Sequence, residues 1–384
     1  KIQIEMLRRK LLKILSCTSL ISSLPSHNLL ASVDPLTRSS ASSDWGINAV
    51  NLELHYLSPK TSKDLPENGP VIKVIGVGGG GGNAVQHMIE SGIEGVEYMY
   101  LDTDRQKLKD MNASVSIKVG RGIIQGLNTK TDSNIIKQVA MNGRKHIQES
   151  IEGTDILFIV VGMGGNAGSG LAQAIAQIAH EMDILTIALI NKPIGTGSDE
   201  YMEMSEHAID EIAQYVDSII SIPLKILTPT PESQANDISY KAVKGIAELI
   251  TCPNLVGIDF SDVKAVMSGM GKVVTGSGQA TGESRVKKAI LTAISSPLLE
   301  NISLDQAQGA IVNITVGPTF ANDQQFMDDF NEASTTVLAL FSEDASVVIG
   351  YNTDLQIQPS DQLRITLVVT GLDQERDTEA TIRQ

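Results

Sequence analysis

The chain has 384 residues, 42% apolar and 20% charged, with a formal net charge of −15. That length accommodates two packed domains plus extensions. The composition fits a soluble α/β protein, and the acidic balance excludes a surface built to coat nucleic acid. Two cysteines, Cys17 and Cys252, without CxxC spacing, exclude a disulfide framework or a structural zinc. The six histidines form no HxxxH-type pair, so no metal site is assigned. No run of about 18 apolar residues marks a spanning helix.

In chain order, residues 1–69 read as a disordered leader and linker. From Met6, MLRRKLLKILSCTSLISS is basic, serine-rich and poor in acids, half-matching a signal peptide and an organelle transit peptide. Lys13 interrupts its apolar core, so a plain extension is the adopted reading and organelle targeting the alternative. Order is expected from Val71. There VIKVIGV is a β-branched buried strand, GGGGGN a glycine run, and the following residues an amphipathic helix. VEYMYLDTD is a second strand, 134–150 a helix, DILFIVV a third strand, GMGGNAGSG a second glycine-rich turn, and 171–182 its helix. DILTIALI, a helix over 200–216 and DSIISIP follow. Strands alternating with helices predict a doubly wound, mostly parallel α/β sheet over 70–236.

A central helix is expected over 237–252, with Ile238, Ala242, Ile246 and Leu249 on one face and Asp237 in its first turn. A second, smaller α/β domain occupies 253–371, with VKKAILTAISS and 323–341 as helices and AIVNITVG, SVVIGYNT and LRITLVVTG as strands. Residues 372–384 are a polar tail.

A glycine-rich turn between a strand and a helix presents backbone N–H groups and the positive end of the helix dipole to an anion. This chain has two such turns, Gly78, Gly79, Gly80, Gly81, Gly82 and Asn83 in one, and Gly164, Gly165, Asn166, Ala167, Gly168, Ser169 and Gly170 in the other. On an open parallel sheet both fall at the carboxyl edge, where ligands bind. A phosphate-rich ligand follows; the competing explanation is tight turns demanded by helix–strand packing. The first turn also matches G-x-G-x-x-G with Asp102 at the end of the next strand, the dinucleotide spacing, so a nicotinamide-dependent oxidoreductase competes. It needs a catalytic His or Lys near the cofactor, and none stands out.

The ordered set GVGGGGGNAV, LDTD, GMGGNAGSG, NKP, ANDISYKAVKGIAELIT and DFSDVKAVMSGMG, with ISSPLLE, GAIVNIT and SVVIG beyond, resembles the tubulin/FtsZ family from about Val71 to Gly371. The resemblance implies a GTP-binding domain, head-to-tail self-assembly into filaments, and a cytoplasmic place at the cell-division site. It implies GTP/GDP held by both glycine turns, with Mg2+ carried by the nucleotide and the guanine edge read by Asp237. It also implies that Asp259 and Asp262 enter the neighbouring subunit's pocket to polarise the attacking water. Membrane contact would be indirect or through the basic leader, and a family paralogue could share mixed filaments.

Departures from the family pattern bear on activity. Asn166 and Ala167 stand where the family has glycine and threonine, and NTKTDS replaces a glycine-rich loop. Gly197, Tyr201 and Glu232 fall at acidic, arginine and aromatic contact positions, Gly257 where the water-activating loop opens on Asn, and Asp102 at the Asn of the second strand. The reading is therefore a GTPase, with a degenerate structural or regulatory filament partner as the alternative.

Overall fold

The computed structural model describes residues 53–56, 69–93, 95–104, 108, 113, 115–118, 133–163, 165–194, 199–225, 231–251, 254–256, 258–296, 298–299, 302–317, 323–354, 357 and 362–372. Residues 1–48 lie outside that set, and everything below concerns the unit from Ala49 onward.

Twelve strands make one ladder among the described residues, in the order β1-β4-β3-β2-β5-β6-β7-β9-β12-β10-β11-β8. They are β1 Glu53–Tyr56, β2 Ile72–Val77, β3 Val96–Asp102, β4 Val115–Lys118, β5 Ile156–Gly162, β6 Leu185–Ile194, β7 Ser218–Lys225, β8 Asn254–Val256, β9 Gly271–Ala280, β10 Gly309–Val316, β11 Ser346–Thr353 and β12 Leu363–Thr370. From β4 to β7 every pairing is parallel. Parallel neighbours need crossover helices on both faces, so their strands are buried throughout and lose the alternation of a half-exposed strand. Accordingly Ile156 to Val161 of β5 are all buried. Beyond a short parallel contact of β7 with β9, the second half is mixed: β10–β11 is parallel, while β9–β12, β12–β10 and β11–β8 are antiparallel. Strand β1 lies inside the stretch read as leader and linker, and pairs antiparallel with β4 at the sheet edge.

The helices are α1 Gly78–Ser91, α2 Ser133–Asn142, α3 Arg144–Ile151, α4 Asn166–Glu181, α5 Asp199–Ala213, α6 Pro231–Thr251, α7 Phe260–Met267, α8 Arg285–Ile294 and α9 Asp323–Leu338. The expected 134–150 helix is divided at Gly143 into α2 and α3. One core contains α2, α3, α4 and one face of the parallel sheet, including Leu157, Ile159 and Ile175. The other face, with Phe158 and Val160, packs against α1 and α6. A third cluster joins α8 and α9 to β10, β11 and β12.

Helix α6 buries Ala242, Ile246 and Leu249 as expected, together with Val243 and Ala247. It reaches both halves of the sheet, because Ile311 of β10 and Val368 of β12 belong to the same cluster. The asparagines of the second half are turned toward it: Asn313 donates to the Gly245 carbonyl and Asn352 to the Glu248 carbonyl, each at 3.4 Å. A buried ion cluster adds to this seam. Arg364 of β12 meets Glu248 of α6 at 2.7 Å, and Lys244 lies 3.4 Å from the same carboxylate.

Candidate nucleotide site

The first glycine run forms the first turn of a helix, and the second enters its helix at Asn166. Helix α1 starts at Gly78 and α4 at Asn166, five residues before the expected Leu171. The first-turn N–H groups of a helix have no acceptor of their own. Neither N-terminus has a side-chain cap, and neither first turn contains an acid. Two helix dipoles therefore point their positive ends outward from the carboxyl edges of β2 and β5, adjacent strands of the sheet.

The two turns abut closely. A Cβ on Gly78 would lie 3.3 Å from the Gly168 Cα, and one on Gly80 would lie 3.3 Å from the Gly162 Cα. Gly78 is also in the left-handed region, with φ of 66°. Gly80 and Asn83 are exposed and Gly79 half-buried, so a ligand can reach these amides. Gly81 and Gly82 serve packing instead. A Cβ on Gly81 would run into the Val160 carbonyl, and one on Gly82 would come within 2.5 Å of the Tyr100 ring. The packing explanation thus accounts for Gly81 and Gly82 and leaves Gly79, Gly80 and Asn83 open to a ligand.

In the second turn Gly165 is the extended N-cap residue, and Asn166 and Ala167 are half-buried. Ser169 is buried, with its hydroxyl 3.4 Å from the Gly165 carbonyl and 3.4 Å from the Met163 sulfur. Its hydroxyl is engaged inside the turn. Gly170 faces α2, where a Cβ would strike the Ser133 carbonyl. Gly164, Gly197 and Gly257 lie outside the described residues, as do the side chains of Tyr201 and Glu232. A cavity of about 350 Å3 opens beside α4, lined by Ser133, Asn166, Ser169, Glu203, His207 and Glu211 among others. Sequence reasoning missed it, although the one-turn spacing of Glu203, His207 and Glu211 places them on one helical stripe. Its carboxylates disfavour phosphate there, which leaves the α1-facing side of the turn for an anion.

Asp102 is buried and fully engaged. Tyr100 Oη donates to its Oδ2 at 2.6 Å, while the Asp104 N–H and Thr103 hydroxyl reach its Oδ1 at 2.9 and 3.4 Å. Burial, reinforced by the Asp102 charge, pushes the Tyr100 phenol well above its ordinary pKa and keeps it a donor. A carboxylate so occupied is poorly placed to take a ribose hydroxyl, which removes the main support for the oxidoreductase.

Asp237 is not in a first turn, because α6 begins at Pro231. It sits one turn before Tyr240, whose ring meets His87 of α1 edge-on at 5.9 Å, so its segment lies beside the first glycine helix. It is half-exposed and paired with Lys241 at 2.6 Å.

Asp259 and Asp262 form a capping box at the start of α7. Asp259 Oδ1 accepts from the Asp262 N–H at 3.0 Å, and Asp262 Oδ2 accepts from the Asp259 N–H at 3.1 Å. Donation by the Ser261 hydroxyl, then by the Asp262 amide, holds the Asp259 carboxyl below its ordinary value. The D-x-x-D spacing could have been read as a capping box from sequence.

These acids and the glycine turns occupy opposite edges of the sheet. Thr251, at the end of α6, packs on Gly95 just before β3. Lys264 of α7 faces Asp183 just before β6 at 3.9 Å, and Ser218 at the start of β7 donates to the Met267 carbonyl. All of these contacts lie at the amino edge, whereas the glycine turns follow the carboxyl ends. A strand the length of β5, seven residues, separates the edges by about 23 Å. One subunit therefore cannot close the site that the resemblance implies.

Residues 71–229 match the model of the tubulin/FtsZ family GTPase domain, and 271–373 that of the FtsZ family C-terminal domain. The cell division protein FtsZ of Coxiella burnetii is 42% identical over 316 residues, 80% of this chain and 80% of that protein. That of Pseudomonas putida is 39% identical over 318 residues, 80% of this chain and 78% of that protein. Among solved structures, an empty FtsZ dimer of M. jannaschii superposes with a TM-score of 0.72 at 29% identity, covering 80% of this chain and 90% of that one. CetZ2 from Haloferax volcanii, solved as a GTPγS-bound protofilament, shares the fold with a TM-score of 0.62 at 17% identity, covering 81% and 96%.

Proposed function

The chain belongs to the tubulin/FtsZ family as an FtsZ-type cell-division GTPase, and from that premise we propose how its own residues share the work. The paired amides of α1 and α4 hold the phosphates of GTP, Asp237 accepts from the guanine N1–H and N2–H, and Asp259 and Asp262 act on the nucleotide of the next subunit. The carrying observation is the placement of glycine turns and acids on opposite edges of one sheet. Only a head-to-tail neighbour brings the two together, and a heterologous contact of that kind also propagates as an open filament.

Hydrolysis of a phosphoanhydride needs positioning and charge stabilisation more than covalent help. The helix N-termini supply fixed donors to the phosphates, and the acids orient and polarise water at the junction. Among the described residues no group of three His, Cys, Asp or Glu could hold a metal ion unaided. Mg2+ enters with the nucleotide in this reading, because the phosphates provide hard oxygen ligands. Among the described residues no helix is long and apolar enough to cross a membrane. A division-site location, contact with a paralogue and any membrane link belong to this proposal. The relatives give the degenerate-partner alternative no support, since they are named cell-division proteins over the matched length.

Phosphate release from GTP across a protein concentration series tests the shared site. A specific rate that rises with concentration supports it; a rate independent of concentration contradicts it.

A further inference from the structure

Asp259 is exposed at the N-terminus of α7, and two donors converge on Oδ1 of its carboxylate, with the Ser261 backbone N–H also close to the group. The Asp262 N–H reaches Oδ1 at 3.0 Å, and the Ser261 hydroxyl reaches the same Oδ1 at 2.5 Å. The amide bond is part of the capping box and would exist whatever residue stood at 261. The hydroxyl bond is additional. The terminal torsion of an aspartate is broad and roughly two-fold, so one acceptor bond leaves an exposed carboxylate free to rock. A side-chain hydroxyl converging on the same oxygen as the Asp262 amide, at 2.5 Å the shorter of the two bonds, restrains that rocking.

No fold requirement accounts for this hydroxyl. Ser261 is exposed, lies within the first turn of α7, and is not needed to complete the reciprocal cap. Alanine has the higher helix propensity, so a purely local role would make its replacement neutral or slightly stabilising. A small misplacement of a group that orients a reacting water costs rate out of proportion to its effect on folding.

We propose that Ser261 is a positioning residue for GTP hydrolysis, its hydroxyl holding the Asp259 carboxylate in the orientation that polarises water in the neighbouring subunit's pocket. The proposal rests on the role given to Asp259 above. Lys264 and Asp262 are the other charged groups on α7 beside it, with Asp183 facing Lys264. None of them donates the bond that Ser261 makes.

The test is steady-state phosphate release from GTP with the full chain, above the concentration at which it assembles, with sedimentation to quantify polymer. Ser261→Ala is expected to lower kcat about three- to tenfold, the worth of one lost hydrogen bond. KM for GTP, the critical concentration and the thermal midpoint should stay at wild-type values, and Ser261→Thr should recover most of the rate. Wild-type kcat in Ser261→Ala would overturn the proposal. So would a loss that threonine does not rescue, or one matched by an equal loss of polymer. Asp259→Asn, assayed alongside, separates the two levels. If it turns over GTP at the wild-type rate, the assignment of Asp259 fails first. If it is inactive while Ser261→Ala is unaffected, only the positioning role fails.

Discussion

Three glycine-to-alanine replacements separate what the first glycine turn does for folding from what it does for phosphate. Gly78 and Gly92 both sit in the left-handed region, at φ 66° and 68°. Alanine pays roughly 1–2 kcal/mol there from its Cβ alone. At Gly92 nothing lies within 4 Å of the added methyl, so the cost stops at the backbone. At Gly78 the methyl lies 3.3 Å from the Gly168 Cα and must push the first turns of α1 and α4 apart. Gly80 has no such backbone penalty, gains about 1 kcal/mol of helix propensity, and carries its methyl 3.3 Å from the Gly162 Cα at the exposed mouth. Gly78→Ala and Gly92→Ala should therefore lower the thermal midpoint by a few degrees, and Gly80→Ala, whose helix-propensity gain offsets the same 3.3 Å approach to backbone, should change it least. Calorimetric titration with GDP should rank them differently. Each lost amide–phosphate bond removes about 1.5–3 kcal/mol, one to two orders of magnitude in Kd. Gly78→Ala and Gly80→Ala should show that loss, and Gly92→Ala should bind as wild type. Equal affinities for all three would refute the assignment of the cradle to these amides.

The ion cluster at the seam of α6 and β12 should behave as a buried pair. Removing one partner with Arg364→Met should cost about 3 kcal/mol, because among the described residues Glu248 and Asp354 are then left to share Lys244; a double replacement with Glu248→Leu should cost less than the two singles summed in urea unfolding. Lys244 provides a pH test. Its burial is the largest single influence and pulls the ammonium pKa down, but the Glu248 charge and the Tyr240 phenol together outweigh it and leave the pKa above its ordinary 10.5. A pKa raised on folding contributes stability that is fully present below the unfolded value and lost as pH rises through the folded one. Urea midpoints of wild type should therefore fall more steeply above pH 10.5 than those of Lys244→Met, and parallel curves would contradict the sign.

Legibility of the sequence followed burial. Strand β5 and the inner face of α6 stand out because runs of Ile, Val, Leu and Ala have no other stable home than a doubly covered sheet or a core-facing stripe. Strand β9 was hidden by its own glycines: at Gly276 and Gly278 a Cβ would strike the Ala293 and Ala289 carbonyls of α8, so close packing removes the side chains that mark a strand. The start of α4 was hidden likewise, because GNAGSG has loop composition while its backbone is already helical. A helix beginning at 237 puts Asp237 in its first turn, but the helix starts six residues earlier at Pro231, a residue suited to the first position of a helix. At Asp259 and Asp262 the acids were recognised but their reciprocal capping was not; one carboxylate can both cap a helix and face solvent. Contacts made by distant segments, such as Tyr100 on Asp102 or Gly80 against Gly162, leave no local trace in sequence.

The most direct test of a site shared between subunits is complementation. Gly80→Ala keeps the acids but has a weakened phosphate cradle, whereas Asp259→Asn keeps the cradle but lacks the carboxylate. Each alone should release phosphate slowly. In a 1:1 mixture about one junction in four pairs an intact cradle with an intact Asp259, so the mixture should recover roughly a quarter of the wild-type specific rate. A mixture no faster than the average of its two components would contradict the account.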